Sequence, residues 1–400
     1  MRDLTASQRK IIGSERHIWP NELAFAEAIY ADRLELIQQD MLARGLSVVI
    51  LFDPENMYWL TGYQTIGYFT FQAMCIPASG KPVIVTRVVN RDMALALPTI
   101  GNAIAVFDTQ DHVDILEAYL KDTVPTGQIG IDTTSRYLSI CDYTRLVDRL
   151  GGRFKPFINV IEAHRMVKTL CELDRMRAAA SAVKAGIDAA LKMIAVGKTD
   201  NDLAAALYQG SIAAGSEYIG HPPMVVTGPR SELCFALWKR NTIEKGDVVL
   251  LEGAGCVDRY HAMMSRSAVV GKATDEHKAT ADALVEILET AIDKIKPGVT
   301  AGEVDFACRQ KVEKRGLGQY FKSRTAYGIG IGFPPNWAEG HIYSLRPNDP
   351  MVLQPNMTFH VIPTMFRTGF GMAISDSVRV TEDGCEVLTN YPRELMEIDA

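Results

Sequence analysis

Long apolar runs are missing from this 400-residue chain: no stretch approaches the roughly 18–20 consecutive apolar residues that cross a bilayer, which excludes a helical membrane span. Charge of one sign is also scarce. A net charge of −6 leaves no basic field for nucleic acid or for an anionic membrane surface. The seven cysteines are scattered without a CxxC pair, and the eight histidines show neither HxH nor HExxH spacing, so a zinc site of the familiar kinds is excluded. An odd, dispersed set of thiols suits a reducing cytosol better than a disulfide framework. The opening Met1-Arg2-Asp3-Leu4-Thr5 carries charge and no apolar h-region, so no secretory signal and a cytoplasmic location are expected.

Apolar residues make up 47% of the chain and charged ones 22%, enough to bury a sizeable core. No internal repeat or low-complexity segment is visible. The spacing of Leu23, Ala26, Ile29, Leu34, Ile37 and Met41 predicts a helix over 22–44, stopped by Gly45. Strands are expected over 47–52, 82–86 and 128–132, with a turn at Asp53-Pro54-Glu55-Asn56. These segments describe an α/β domain ending near residue 160. A long helical stretch over 160–194, as one helix or two, opens a second domain. There, strands are expected over 223–227, 248–252, 267–270, 357–362 and 371–380, and helices over 275–295 and 301–315. Antiparallel strands with grouped helices read as α+β.

One segment stands out chemically. Gly246-Asp247-Val248-Val249-Leu250-Leu251-Glu252 reads as a turn and then a buried strand that ends on a carboxylate. Acids are seldom buried without a partner or a function. The bland alternative is a glutamate satisfied by backbone amides or by an arginine such as Arg266.

Several stations in order carry a family likeness: Val167-Lys168-Thr169 followed by Glu172 to Arg177, the 246–250 segment, Tyr327-Gly328-Ile329-Gly330, Leu353-Gln354-Pro355-Asn356-Met357 and 378–388. Together they resemble the "pita-bread" superfamily, M24-like, of aminopeptidase P, prolidase, methionine aminopeptidase and creatinase. The resemblance implies an α/β creatinase-type N-terminal domain over 1–162 and an α+β pita-bread catalytic domain over 163–400. The family's five metal ligands, Asp, Asp, His, Glu and Glu, fall here on Glu252, Met263, Tyr327, Ile362 and Ser375. A dinuclear site needs carboxylates to bridge hard divalent ions, a thioether is too soft, and isoleucine has no lone pair. No metal and no cofactor are therefore expected. The acid and histidine base of creatinase fall near Ser265 and Phe235, which argues against creatine as substrate.

Glu252-Gly253-Ala254-Gly255-Cys256, His221-Pro222-Pro223 and Phe333-Pro334-Pro335-Asn336-Trp337 are most similar to the branch of this family that hydrolyses ectoine. That likeness implies opening of a cyclic amidine to N-acetyl-2,4-diaminobutyrate, with ectoine, and hydroxyectoine as a second candidate, as small-molecule substrates. The family resemblance also implies a homodimer, and the branch likeness makes a downstream deacetylase a candidate partner. An amidinium carbon is electron-poor without a Lewis acid, and needs a nucleophile or activated water together with a proton for the departing nitrogen. Glu252 suits either role, nucleophile or general base. His221, Tyr327 and His360 are the expected proton donors or shuttles, and Trp337 the expected cation–π wall. Arg266 is a candidate for the substrate carboxylate, with Arg324 and Arg346 as unranked alternatives. His261 and Glu339 are further substrate-side candidates, although Glu339 also reads as a solvated loop acid. Tyr68 and Phe69 of the partner subunit would close the cleft; their alternative is a buried strand. The rival functions are a creatinase-like amidinohydrolase, a lyase acting on sulfonium compounds, and a non-catalytic, peptide-binding pseudopeptidase.

Overall fold

The computed structural model describes residues 5–12 and 22–399. Residues 1–4, on which the expectation about a secretory signal rests, lie outside them. The chain divides into two compact units after His164, two residues beyond the boundary expected from the sequence. Among the described residues no helix is long and apolar enough to cross a membrane.

The first unit is built on six strands, β1 (Leu46–Leu51), β2 (Gln72–Pro77), β3 (Val83–Arg87), β4 (Asn102–Val106), β5 (Gln128–Ile131) and β6 (Phe154–Pro156), in the order β4-β3-β2-β1-β5-β6. The sheet is mixed: β2 runs antiparallel to both β1 and β3, and the other neighbours are parallel. Val48, Ile50 and Phe52 alternate onto one face and pack with Val113, Leu116 and Leu120 of the helix His112–Thr123. Two expectations fail here. Asp53 to Asn56 is no free turn: Pro54 occupies the first position of a helix, Pro54–Thr61, where its missing N–H costs nothing, and Gly62 closes it at φ +74°. The segment around Tyr68 and Phe69 is a single 3₁₀ turn, Ile66–Phe69, rather than a buried strand, because the Thr65 hydroxyl accepts from Gly67 N and coils the backbone. Phe69 is 79% exposed and Tyr68 meets Tyr137 edge-on.

The helical stretch is two helices, Val160–Met166 and Leu170–Met193. The Glu172 carboxylate accepts from Thr169 N at 2.7 Å and so starts the second helix. The same device, Thr300 with Glu303, opens the helix Ala301–Lys314. In the second unit the strands are β7 (Met224–Thr227), β8 (Val248–Val257), β9 (Tyr260–Val270), β10 (Ala326–Phe333), β11 (Asn336–Ala338), β12 (Ser344–Leu345), β13 (Thr358–Val361), β14 (Thr364–Arg367), β15 (Phe370–Ala373), β16 (Asp376–Val380), β17 (Cys385–Val387) and β18 (Met396–Ile398). The main sheet runs β17-β16-β13-β10-β9-β8-β7, with β11 and β12 on β10 and β18 on β9; β14 and β15 form a separate hairpin.

Strands β8 and β9 make one long hairpin, with Asp258 and Arg259 both at positive φ in its two-residue turn. Both strands run well past the limits expected from sequence, 248–252 and 267–270. Gly253 and Gly255 serve close approach. A Cβ on Gly255 would collide with the Ala179 carbonyl of the helix Leu170–Met193, and one on Gly253 would press on Leu207. Odd-numbered β8 residues Val249 and Leu251 pack with Val183, Ile187 and Leu203 on that helix side. Even-numbered Leu250 and Glu252 therefore point to the other face of the sheet.

Candidate active site

On that other face the second unit encloses a cavity of about 410 Å³, with Glu252, Tyr327, Trp337, His221 and Arg324 in its wall. Glu252 is 3% exposed, opposite Met224 on β7 and Ser265 on β9. Burial pushes its carboxyl up to about 8, against the weaker opposing pull of the Ser265 hydroxyl. Among the described residues no arginine pairs with it, and Arg266 is held by Asp376, so Arg266 is not what satisfies the acid.

Arg266 is spent elsewhere. It is fully buried, pairs with Asp376 at 3.0 Å, and donates to the carbonyls of Ser265, Ser375, Tyr391 and Pro392. Arg346 pairs with Asp349 at 2.7 Å and does not line the cavity either. Of the three arginines Arg324 reaches it. One of its nitrogens donates to Gly340 O and Ser344 Oγ, and the guanidinium lies 5.2 Å from the Tyr327 ring centre.

Tyr327, on β10, is the hub. Its hydroxyl accepts from Trp337 Nε1 at 3.2 Å and meets His360 Nδ1 at 2.7 Å. His360 Nε2 in turn meets Ser375 Oγ at 2.7 Å, and Ser375 Oγ also accepts from Ser265 N. Register places Tyr327 and His360 opposite each other on β10 and β13. Burial, helped by the Arg266 charge, lowers the His360 pKa to about 3, so the ring is neutral. The assignment that leaves no buried proton unpaired has Ser375 O–H donating to Nε2 and Nδ1–H donating to Tyr327. Tyr327 then accepts two hydrogen bonds and keeps its own O–H to give. Burial and the nearby Glu252 hold that phenol protonated. His360 itself does not line the cavity, so the expectation of direct contact with substrate is corrected: it stands behind Tyr327.

His221 does line the cavity, with its ring 4.6 Å from that of Trp337. Its Nδ1 lies 2.5 Å from Pro222 O and must donate there, which leaves the lone pair of the neutral ring at Nε2. Two other expectations fail. His261 is fully buried outside the cavity wall, with Nε2 accepting from Gly220 N and Nδ1 on Arg259 O; burial and the Arg259 charge lower its pKa to about 3. It pins a loop. Glu339 is neither a solvated acid nor a substrate ligand: it is 1% exposed and holds Arg165 and Lys168 at 2.6 Å each. Burial pushes its carboxyl up, but those two cations prevail and hold it below the usual range.

The family's metal slots do not fit ions. Glu252, Tyr327 and Ile362 line the cavity, Ser375 is committed to His360, and Met263 is buried with its N–H on Ser377 Oγ. Among the described residues no group of three or more His, Cys, Asp or Glu could hold a metal ion. Phe235, near which the resemblance places creatinase's histidine base, lines the cavity, whereas sequence reasoning missed its loop neighbours Leu233 and Cys234 and the wall residues Lys322, Thr364 and Phe366. Nothing in their local pattern marks them; they converge only through the fold.

Comparison with known proteins agrees with this architecture. Residues 174–382 match the model of metallopeptidase family M24, and residues 33–167 that of the creatinase/prolidase N-terminal domain. The ectoine hydrolase of Halomonas elongata is 29% identical over 393 residues, covering 93% of this chain and 98% of that relative. The dipeptidase PepE structure from Mycobacterium ulcerans matches with a TM-score of 0.79 at 25% identity, covering 94% of this chain and 100% of its own. A prolidase structure from Thermococcus sibiricus matches in fold with a TM-score of 0.83 at 23% identity, covering 92% and 99%. The chain is thus a hydrolase-family protein: it belongs to metallopeptidase family M24, and carries the creatinase/prolidase N-terminal domain ahead of the M24 one.

Proposed function

We propose that this protein hydrolyses a carboxylate-bearing cyclic amidine, with ectoine as the reference substrate, and that it does so without a metal. The observation that carries this reading is the buried, unpaired Glu252 beside a protonated phenol and an indole in a cavity whose metal slots have lost their donors. The similarity to the Halomonas elongata ectoine hydrolase supports it.

An amidinium entering the cavity offers Glu252 the counter-charge that burial denies it, so binding ionises the acid. The carboxylate then either attacks the amidine carbon or takes a proton from the attacking water. Water adds across the C=N bond, the tetrahedral centre forms, and one C–N bond breaks to leave an amide and an amine. The Tyr327 O–H, aimed by His360 and Trp337, serves the developing charge at a ring nitrogen. His221 Nε2 can take up or return a proton at the same wall, Trp337 faces the cation, and Arg324 receives the substrate carboxylate. On this reading the protein acts as a homodimer in the cytoplasm, with Tyr68 and Phe69 of the partner subunit over the cleft; the 79% exposure of Phe69 supports an external contact.

Incubation of the purified, chelator-treated protein with ectoine should release N-acetyl-diaminobutyrate, and Glu252→Gln should lower kcat by at least about a thousandfold while the protein stays folded. No product from the wild-type protein, or activity restored only by a divalent ion, would refute the proposal. Among peptidase readings, cleavage of a dipeptide without added metal would favour the family's other activity.

A further inference from the structure

The cavity is not evenly polar. Beyond Glu252 its floor is apolar: Leu250 lies two residues back on the same face of β8, about 7 Å along the strand. Val226 sits opposite Leu250 in the β7–β8 ladder, and both pack with Ala373 of β15 as a small hydrophobic cluster that Met224 joins. Ile362 and Phe366 continue the same wall. The polar groups, Tyr327, Trp337 and Arg324, are linked to one another through the Tyr327 ring and hydroxyl. An ectoine-sized ring with one methyl group engages the acid and the phenol but fills only part of a volume of about 410 Å³, which lies in the range of roughly 300–1,000 Å³ that takes ligands of drug size. Met224 and Phe366, the half-buried members of this apolar lining, would then face empty space or loosely held water, which an apolar surface disfavours.

We infer that the preferred substrate carries on its amidine carbon an alkyl group longer than methyl, which lies along the apolar wall of Met224, Ile362 and Phe366. The inference rests on the amidine-hydrolase reading and narrows it to a class: 2-alkyl-tetrahydropyrimidine-4-carboxylates, opened by water to N-acyl-2,4-diaminobutyrates. The reaction balances as for ectoine. One water is consumed: its oxygen adds to the amidine carbon, one of the two C–N bonds breaks, the other is kept as the C–N bond of the amide, and the freed nitrogen leaves as an amine carrying the transferred proton. The longer chain becomes the acyl group of the amide product.

The test is a homologous series, 2-methyl (ectoine), 2-ethyl, 2-propyl and 2-butyl, assayed with the full-length wild-type protein. Each buried methylene should raise kcat/KM by about fourfold until that wall is covered. Val226→Phe, which narrows the cavity beside it, should move the optimum back towards methyl. Highest kcat/KM on the 2-methyl compound, falling with chain length, would overturn the inference and leave the amidine-hydrolase reading standing. If no member of the series is opened, that reading falls and the inference falls with it.

Discussion

Tyr327 shows how a lost ligand becomes a different tool. A phenol stands where the resemblance places the family's metal-binding imidazole, and an imidazole, His360, lies behind it as a neutral spacer between Ser375 and the phenol. Ser375 falls on another of the ligand positions that the resemblance implies, so two of those positions serve one hydroxyl here. Removing that hydroxyl with Tyr327→Phe should lower kcat by about 10²–10³-fold, in line with the loss of one aimed donor. KM should change little, and the melting temperature should stay within a few degrees. An unchanged kcat would mean that the proton comes from elsewhere, His221 first. The residue types that make this wall were readable in the sequence; their order was not. His360, His261, Arg266 and Glu339 all looked available because polarity is visible in a sequence, whereas a satisfied hydrogen-bond inventory is visible only in three dimensions.

The element that matters most is β8, a strand with two different duties on its two faces. Its helix-facing side needs glycine, since the backbone of Gly255 lies against the Ala179 carbonyl, and its cavity side carries the acid. Gly255→Ala should force strand and helix apart, with a loss of about 1–3 kcal/mol in urea unfolding and a larger proportional loss of activity. A variant as stable as the wild type would show that the helix yields freely. The buried trio of Glu339, Arg165 and Lys168 behaves oppositely: it lies away from the acid, yet Glu339→Gln should cost about 3–5 kcal/mol by leaving two buried cations without a counter-charge, and stability that is unaffected would contradict the pairing seen. At this scale the sequence was legible for the type and order of most helices and strands, because hydrophobic period is local. It misread the length of β8 because glycine signals a break unless a neighbouring helix supplies the reason for it. It misread Asp53-Pro54 because a proline can open a helix as well as a turn.

For the molecule as a whole, two buried acids tie stability to pH. Burial, reinforced by Glu55, raises Asp53 in the first unit to about 7, and burial raises Glu252 in the second to about 8. Each stays protonated in the folded chain while its unfolded counterpart ionises near the ordinary carboxylate value. The folded state thus binds more protons, and stability must fall as pH rises from about 4.5 to about 8. Glu252→Gln removes one of the two contributions, so its unfolding free energy should decline less over that window, by an amount on the order of a few kcal/mol. Parallel curves for variant and wild type would show that Glu252 titrates normally. The free protein's kcat/KM on a permanently cationic substrate should rise towards pH 8 for the same reason. A last consequence follows from where Arg266 spends its hydrogen bonds. It grips the carbonyls of Tyr391 and Pro392 while Asp376 takes Arg393, and Asp376 adjoins Ser375, from which the proton chain to Tyr327 begins. On the proposed mechanism the segment near residue 391 is therefore a remote brace for the Tyr327 phenol, and a tag or truncation placed there would blunt turnover without touching any residue that meets the substrate.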